Sequence, residues 1–488
     1  MKKKILLFIA IFSVGIIVTY PAFAPSHALD SYCTIYNGYR ETAEWFLQNG
    51  RVFSALLMYF YNLVSLPVDS MNFVTMFFFN LFLALAILKL YLVFSKNREN
   101  KVVRVILLVS TFMLFYGPLI TEVLLLNEAM IFALGILLVV LAAGRLSVGG
   151  IKNYIIALIL MILGVTCYQG VACYFFLILL LILMSLKIDD KEKLVNLFKK
   201  IGIGIIIYGM SFLTSLGIVQ LANSVFGTEA SKFGGFDLVS NFVKVFTNLL
   251  PSSLGNLFGF INVKYYYILV FIMVILIIYL FIKSDNKTIK GILFVGVLLS
   301  VILMPFVPNF VMSTDSNYTA ARMALTLGIL PSAFTLYILF NYEINIKWQY
   351  VIGVLALLFM LISVYSIHQN LMINFKRYKQ DVSYINSIVQ RIGWYEAESD
   401  KTVKTIYYAP DTDVSYYYSF GNANGANIRL LAVNWALDCA FPVYTSDQYE
   451  FKPMSDEDYN KYFKGKNYDK FDKEQLVFDD DTLYLLLY

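Results

Sequence analysis

Long apolar runs recur along this sequence from its start to about residue 368, and they constrain the fold more than any other feature. Each run is long enough, or nearly so, to cross the roughly 30 Å hydrocarbon core of a bilayer. Of the 488 residues, 59% are hydrophobic and only 15% are charged. A single soluble core does not accommodate so much apolar sequence. The sequence therefore predicts a mainly α-helical, polytopic membrane protein.

Hydropathy predicts about eleven membrane-spanning helices. The first run follows Lys2–Lys4 and ends in the small-x-small sequence Ala22–Ala24, as a signal peptide does. Pro25 comes directly after it, where proline generally blocks cleavage, so we interpret the run as a retained first helix. The predicted spans are residues 5–24, 71–94, 102–118, 128–144, 152–168, 170–186, 200–222, 264–283, 290–308, 322–341 and 348–368.

The orientation follows from Lys and Arg, which accumulate on the cytoplasmic side of membrane helices. Eighteen of them lie near helix ends on the sides that we assign as inside, and six lie in outer loops. The N-terminus is therefore predicted to be cytoplasmic, in a bacterial plasma membrane. Counting residues 51–66 as a further span would invert every later loop, so we interpret them as an amphipathic helix in the outer interface. The first outer loop, residues 25–70, then contains interfacial helices.

Composition changes after the last predicted span. Residues 369–488 contain 13 Lys and Arg against 18 Asp and Glu. Residues 402–410 and 480–488 have the character of strands, and residues 380–397 have helical spacing. We therefore predict a membrane domain, residues 1–368, and a small extracytoplasmic α/β domain, residues 369–488, which is large enough for its own core.

The cysteines and histidines form no metal-binding pattern. The four cysteines have no CxxC spacing, and the chain contains only two histidines. Cys33 and Cys439 both fall in segments predicted to lie outside, where they could pair, and the other two fall in apolar stretches. No cofactor is predicted, and a divalent metal has no support in these residues.

Acidic residues follow the predicted exit of the first helix from the membrane. Asp30 comes a few residues after that exit, and Glu41 and Glu44 lie in a predicted helix. A carboxylate at the lipid–water boundary is partly desolvated, which raises its basicity and suits a general base. Arg51, at the end of this loop segment, is suited to holding a phosphate. The alternative is that Asp30 caps a helix and that the others are solvated charges.

The second predicted outer turn contains two acids in otherwise apolar sequence. Glu122 and Glu128 are six residues apart, and Asn127 precedes the second. Carboxylates at such depth cost several kcal/mol unless they are paired or hydrated, so they indicate a functional site. The alternative is that both simply mark the turn between two helices.

Two more outer turns carry polar side chains. Tyr168 and Gln169 occupy a very short turn, where they either contact a substrate hydroxyl or satisfy the backbone of the turn. Arg322 follows Asp315 and Asn317 at the mouth of the tenth predicted span. An arginine at that depth either binds a lipid phosphate or serves as an interfacial anchor.

Common catalytic signatures are missing from the sequence. It contains no Walker A loop, no HExxH, no GxSxG and no line of charges along a predicted span. The acids gather instead at the outer ends of predicted helices. This pattern indicates chemistry at the outer face on a lipid-linked substrate.

With these residues in place, the membrane part, roughly residues 5–368, resembles the GT-C class of membrane glycosyltransferases, and within it the glucosyltransferase Gtr type II family. The resemblance rests on the first-loop acid Asp30, the sequence QNGR at 48–51, the acids Glu122 and Glu128, the Tyr168–Gln169 turn and Arg322. The sequence departs from the class in having one carboxylate in Leu29–Ser31, where paired acids are common.

The resemblance implies an inverting transfer of a hexose such as glucose from a polyprenyl-phosphate donor to an extracytoplasmic cell-surface glycan. Asp30 would be the general base, and Glu122 or Glu128 the second acid. Arg322 and Arg51 would balance the phosphate leaving group. A polyprenyl-phosphate sugar synthase and a small flippase are the expected partners, and no nucleic acid is. The alternatives are a surface polysaccharide polymerase or ligase, a non-enzymatic lipid-linked glycan flippase or transporter, and a membrane scaffold.

Overall fold

The structure is a computed structural model that describes residues 2–24, 29–96, 98–227, 237–313, 318–409, 434–445, 449–466 and 472–487. The described chain is mainly helical, with one small sheet near the C-terminus. Its helices are α1 Lys2–Thr19, α2 Leu29–Gln48, α3 Val52–Leu63, α4 Val68–Phe94, α5 Lys101–Met113, α6 Ile120–Leu124, α7 Ala129–Val148, α8 Ile151–Cys167, α9 Tyr174–Ser185, α10 Lys191–Phe226, α11 Leu238–Lys244, α12 Leu250–Asn256, α13 Val263–Ile282, α14 Lys287–Ile302, α15 Leu330–Asn341, α16 Ile346–Ser399, α17 Asn434–Tyr444 and α18 Asp456–Tyr462. Its strands are β1 Thr405–Ala409, β2 Glu450–Pro453, β3 Leu476–Asp479 and β4 Thr482–Leu486.

The structure confirms several apolar helices suited to a multi-pass membrane protein, but it does not confirm eleven spans. Among the described residues, six helices are long and apolar enough to cross a bilayer, or seven if a pair bent by 52° counts as one span. The six are Lys2–Phe23, Ser70–Phe94, Ala129–Val148, Lys191–Phe226, Val263–Ile282 and Ile346–Ser399, and the bent pair joins Lys287–Ile302 to Met304–Phe310.

The other predicted spans are shorter helices or broken segments. Helix α5 ends at Met113, before the Gly117–Pro118 sequence, and Pro331 lies in the first turn of α15. Helices α9 and α15 have 12 residues each, and most of their side chains are buried. With the 3₁₀ turns that precede them, they form the apolar helical segments Gln169–Ser185 and Leu325–Asn341, which fall below 18 residues and are not confirmed as spans. Their apolar residues pack mainly against the rest of the protein.

A buried polar network joins α1 to the membrane core. The Asn80 side chain on α4 donates to the Thr19 hydroxyl at 2.8 Å and accepts from the Tyr116 hydroxyl at 2.7 Å. Gly15 lies against this network, since an added Cβ there would sit 2.5 Å from the Tyr116 hydroxyl. A glycine is therefore required at this point of the α1–α4 contact.

The segment predicted to be the first outer loop contains two helices, as predicted from its sequence. Helix α2 is kinked at Gly38, whose φ of 83° lies in the region that favours glycine. Helices α2 and α3 pack together through Ala43, Phe46 and Tyr61, and this cluster reaches Ile131 on α7. The loop is therefore a packed layer above the buried acid turn that precedes α7.

The C-terminal part combines strands and helices, as its sequence indicates. Strand β1 lies between β2 and β4 and runs parallel to both, while β3 pairs antiparallel with β4. The C-terminal half of α16 packs on this sheet through Ile385 and Ile388. Helix α16 continues without a break from Ile346 to Ser399, so the boundary that we predicted at residue 368 lies inside it.

The first outer loop and the C-terminal part are joined covalently. Cys33 on α2 and Cys439 on α17 form a disulfide. Beside it, the hydroxyls of Tyr32 and Tyr444 are 3.1 Å apart, and Tyr32 is buried in the C-terminal core. Burial raises the pKa of the Tyr32 hydroxyl far above its ordinary value, so this contact stays neutral. The C-terminal part is thus held against the first outer loop.

Replacing Cys439 with serine should loosen this attachment. A disulfide typically contributes about 2–4 kcal/mol, because it constrains the unfolded chain. We expect a lower Tm in thermal melting and faster proteolysis between residues 400 and 488. Reductant should reproduce the effect in the native protein and have no further effect on Cys439→Ser. If reductant leaves the melting of the native protein unchanged, the bridge does not stabilise this contact.

Candidate functional site

The two isolated acids are both buried at the turn between α5 and α7. Glu122 lies on the short helix α6, and Glu128 lies at the N-cap position of α7. Glu122 is 0% exposed and Glu128 is 7% exposed. Because a buried carboxylate is costly without partners, the partners of each indicate its role.

Glu122 is paired with Arg322. One oxygen of the Glu122 carboxylate accepts from the Arg322 backbone N–H at 2.7 Å, and the other accepts from Nη1 of the guanidinium at 2.6 Å. Both carboxylate oxygens are therefore engaged by one residue. The pair joins the turn between α5 and α7 to the turn before α15, two hundred residues later in the chain.

Replacing Glu122 with glutamine should destabilise the protein. Breaking a buried ion pair typically costs about 3–5 kcal/mol, because the remaining charge stays buried without compensation. The Arg322 side chain is only 14% exposed, so we expect a clearly lower Tm for Glu122→Gln. The double variant with Arg322→Gln should recover part of the loss. Glu192→Gln, on the first turn of α10, is the surface control. Equal Tm values for Glu122→Gln and Glu192→Gln would contradict the prediction.

Arg51 is a mostly buried cation that is held by aromatic rings and one long ion pair. Its guanidinium carbon lies 4.9 Å from the Tyr168 ring centre, 5.5 Å from that of Trp45 and 5.8 Å from that of Phe46. Its nearest described carboxylate is Glu128, with 3.9 Å between Nη1 and Oε1. The side chain is 11% exposed, and its buried Nε donates no hydrogen bond to any described residue. Arg51 is thus a desolvated cation with an unused donor.

The backbone before Arg51 is docked on neighbouring helices. The Gln169 side chain donates to the Asn49 carbonyl at 3.0 Å, and the Asn223 side chain donates to the Gln48 carbonyl at 3.4 Å. Gly50 has a φ of 72°, and an added Cβ there would lie 2.8 Å from Val219 on α10. Glycine is therefore needed in this turn both for its backbone and for space. The predicted Tyr168–Gln169 turn serves to position Arg51.

Two cavities meet at the Arg51–Glu128 pair. The first, the acid cavity, has a volume of about 370 Å³ and is lined by polar and aromatic residues that include Ser31, Glu41, Trp45, Asn127 and Glu128. The second, the turn cavity, is about 60 Å³ and is lined by residues that include Arg51, Tyr168, Gln169, Phe212, Pro308 and Met312. Glu128 lines the first and Arg51 the second, so the pair connects the walls of the two cavities.

The remaining predicted residues divide between the acid cavity and solvent. Glu41 lines the acid cavity, whereas Glu44 pairs with the exposed Arg40 at 3.5 Å. The backbone of Asp30 lies in the first turn of α2, next to the cavity residue Ser31, and its side chain is outside the described part. Asp315 and Asn317 also fall outside the described residues.

Of the aromatic residues around Arg51, the sequence indicated Tyr168 but not Trp45 and Phe46. Trp45 and Phe46 lie on α2, and the turn at 48–51 brings the guanidinium back over them. Their only sequence signal was an aromatic pair five and six residues before an arginine. Over the described ranges, His, Cys, Asp and Glu form no group of three that could hold a metal ion.

The comparison with protein families agrees with this arrangement. The family model described as glucosyl transferase GtrII matches residues 19–330, which is more than half of the chain. The match includes α2, the buried acid turn, the Tyr168–Gln169 turn and Arg322, and it ends before α16 and the C-terminal sheet. No curated protein matches the chain. The chain belongs to the GtrII glucosyl transferase family and is a membrane glycosyltransferase.

Proposed function

We propose that this glycosyltransferase moves a hexose from a polyprenyl-phosphate donor to an extracytoplasmic cell-surface glycan. The observation that carries the proposal is the state of Arg51, a desolvated guanidinium with an unused Nε at the junction of two cavities. An anion is the natural partner for such a group, and the leaving group of a polyprenyl-phosphate sugar is an anion. The turn cavity and the acid cavity then correspond to the donor and the acceptor side.

The donor side is defined by Arg51 and apolar residues. Phe212, Pro308 and Met312 line the turn cavity together with Arg51, and its volume of about 60 Å³ matches a phosphate group and not the lipid chain of the donor. A guanidinium binds phosphate oxygens through paired, planar N–H donors. The attraction between guanidinium and phosphate is stronger in a site that excludes water, because charges are less screened there. Arg51 therefore takes the principal phosphate role, and Arg322, whose guanidinium holds Glu122, supports the turn.

The acceptor side is the acid cavity. Trp45 offers a flat apolar surface for a sugar ring, and Asn127 and Glu41 offer hydrogen-bonding groups for its hydroxyls. Asp30 adjoins Ser31 at the wall of this cavity, which makes it the candidate base. Glu128 lines the acid cavity next to Arg51 and is the second acid in this proposal, because both oxygens of Glu122 are already engaged.

The reaction is a direct displacement at the anomeric carbon. The Asp30 carboxylate accepts the proton of an acceptor hydroxyl, whose oxygen bonds to the anomeric carbon. The bond from that carbon to the phosphate oxygen breaks, and polyprenyl phosphate leaves with both electrons of that bond. Arg51 stabilises the negative charge that develops on the phosphate. A single displacement inverts the configuration of the sugar.

The donor assignment is tested with purified protein in proteoliposomes. We expect radiolabelled hexose to pass from polyprenyl-phosphate hexose to isolated cell-surface glycan, with inversion of the anomeric centre. Vesicles without protein and vesicles given UDP-hexose instead of the lipid donor are the controls. Transfer from UDP-hexose in the absence of polyprenyl phosphate, or retention of configuration, would refute the proposed donor or the single displacement.

A further inference from the structure

A third cavity, larger than the acid cavity and the turn cavity, lies at the opposite ends of the helices from the candidate site. Its volume is about 880 Å³. Its lining residues lie at the C-terminal ends of α4, α9, α13 and α15 and at the N-terminal ends of α14 and α16. We call it the inner cavity. These are the loops whose Lys and Arg residues place them on the cytoplasmic side in the predicted orientation. The transfer reaction proposed above does not use this cavity.

Charges of both signs line the inner cavity, but they differ in depth. Four acids line it, Glu99, Asp189, Asp285 and Glu343, and all four are exposed. Asp189 is moreover paired with Lys193, which lies outside the cavity, at 2.5 Å. Two cations, Arg98 and Lys290, are half-buried, while Lys187 and Lys283 are exposed. The two least exposed charged residues of the lining are therefore both cations.

The two half-buried cations have no carboxylate partner within 4.0 Å among the described residues. Lys290 lies over the Tyr342 ring, with Nζ 4.9 Å from its centre. Burial lowers the pKa of the Arg98 guanidinium, although an arginine remains charged near neutral pH. Asp285 and Glu343 act on Lys290 electrostatically from a longer distance, so its charge is only partly balanced. Half-buried cations that form no close ion pair can accept an anion.

Aromatic residues form one wall of the inner cavity. The rings of Tyr279 and Trp348 are 5.3 Å apart, and the Lys283 ammonium donates to the Tyr279 hydroxyl at 2.6 Å. Tyrosine, tryptophan and basic side chains together are typical of the level where lipid headgroups lie. The cavity is also far larger than one inorganic phosphate requires, so it has room for the remainder of an ester.

We propose that the inner cavity binds a phosphate ester through Arg98 and Lys290. In either form of the ligand, phosphate oxygens contact the two cations, and the alcohol part of the ester packs against the aromatic wall. The ester is either the headgroup of an anionic inner-leaflet lipid or a soluble phosphate ester of similar size. The exposed acids at the rim disfavour highly charged polyanions.

The test uses the full-length protein in a neutral detergent, with binding followed by native mass spectrometry. The probes are phosphatidylglycerol, glycerol phosphate and inorganic phosphate. The double variant Arg98→Gln/Lys290→Gln should bind the preferred probe at least tenfold more weakly. The control is Lys191→Gln/Lys347→Gln, which removes the same charge from exposed positions on the same side but outside the cavity, and it should bind as the native protein does.

The possible outcomes distinguish a lipid headgroup from a soluble ester, and both from failure of the proposal. Binding of phosphatidylglycerol that glycerol phosphate does not displace assigns the site to a lipid headgroup, whereas effective displacement assigns it to a soluble ester. An equal loss in the control variant, or no binding of any probe, overturns the proposal. If the double variant does not fold, a photoreactive phosphatidylglycerol on the native protein should label residues 98–103, 279–290 or 339–349. Labelling only elsewhere would also overturn it.

Discussion

Replacing Asp30 with asparagine should reduce sugar transfer by about 10²–10⁴-fold, the range typical of losing a general base. Asparagine has nearly the same size as aspartate but does not accept the proton of the acceptor hydroxyl. The protein should fold and melt as the native form does. The measurement is the single-turnover rate from saturating polyprenyl-phosphate hexose in proteoliposomes, together with the Tm of the same preparation.

The matched control for Asp30 is an exposed acid on the C-terminal part of the chain. Asp456→Asn removes a carboxylate at the start of α18, where it faces solvent. This variant should transfer sugar at the native rate. If Asp30→Asn retains most of its activity while Glu128→Gln loses it, the base is Glu128 and the first-loop assignment is wrong.

Replacing Arg51 with glutamine should lower kcat/KM for the lipid donor by about 10²–10³-fold, as removal of one preorganised group at a developing charge does. The guanidinium is the desolvated cation at the junction of the two cavities, and glutamine has no charge to offer the departing phosphate. The kcat/KM of Arg51→Lys should lie between those of the native protein and Arg51→Gln. Lysine keeps the charge but loses the planar donors and the stacking on Tyr168. The measurements are kcat and KM for the donor at a fixed acceptor concentration, and KM for the acceptor at a saturating donor concentration.

A second stacked arginine provides the control for Arg51. Arg391 lies 5.1 Å from the Trp394 ring centre on an exposed face of α16, so Arg391→Gln removes a comparable cation–aromatic contact away from both cavities. Its kinetics should be native. A loss confined to KM for the acceptor in Arg51→Gln would mean that this residue binds the glycan and not the donor phosphate.

The two buried acids show how far the sequence reached into the site. Glu122 and Glu128 stood out because each was an isolated carboxylate in apolar sequence. Their surroundings differ, since Glu122 binds the backbone and side chain of Arg322, while Glu128 borders the acid cavity opposite Arg51. Nothing in the local sequence of either acid distinguishes the two situations, because the partners come from distant turns.

The membrane helices show a related limit. Hydropathy predicted full spans at segments such as 170–186 and 322–341, where the apolar helices are shorter than a full span and mostly buried, so the structure does not confirm them as spans. An apolar side chain is equally satisfied by lipid and by neighbouring protein, so an apolar run alone does not report which of them surrounds it. Helix length and packing are needed to separate the two environments.

The sequence by itself determined the class of the protein, its family and the group of outer-turn residues in which to look for chemistry. These depend on composition, local periodicity and short motifs, which are properties of neighbouring residues. Only the tertiary structure decided that Glu122 holds Arg322, that Arg51 stands between two cavities, and that Cys33 is bonded to Cys439, 406 residues away. Contacts of this kind depend on how whole helices pack, and many pairings of distant residues are compatible with the same local pattern.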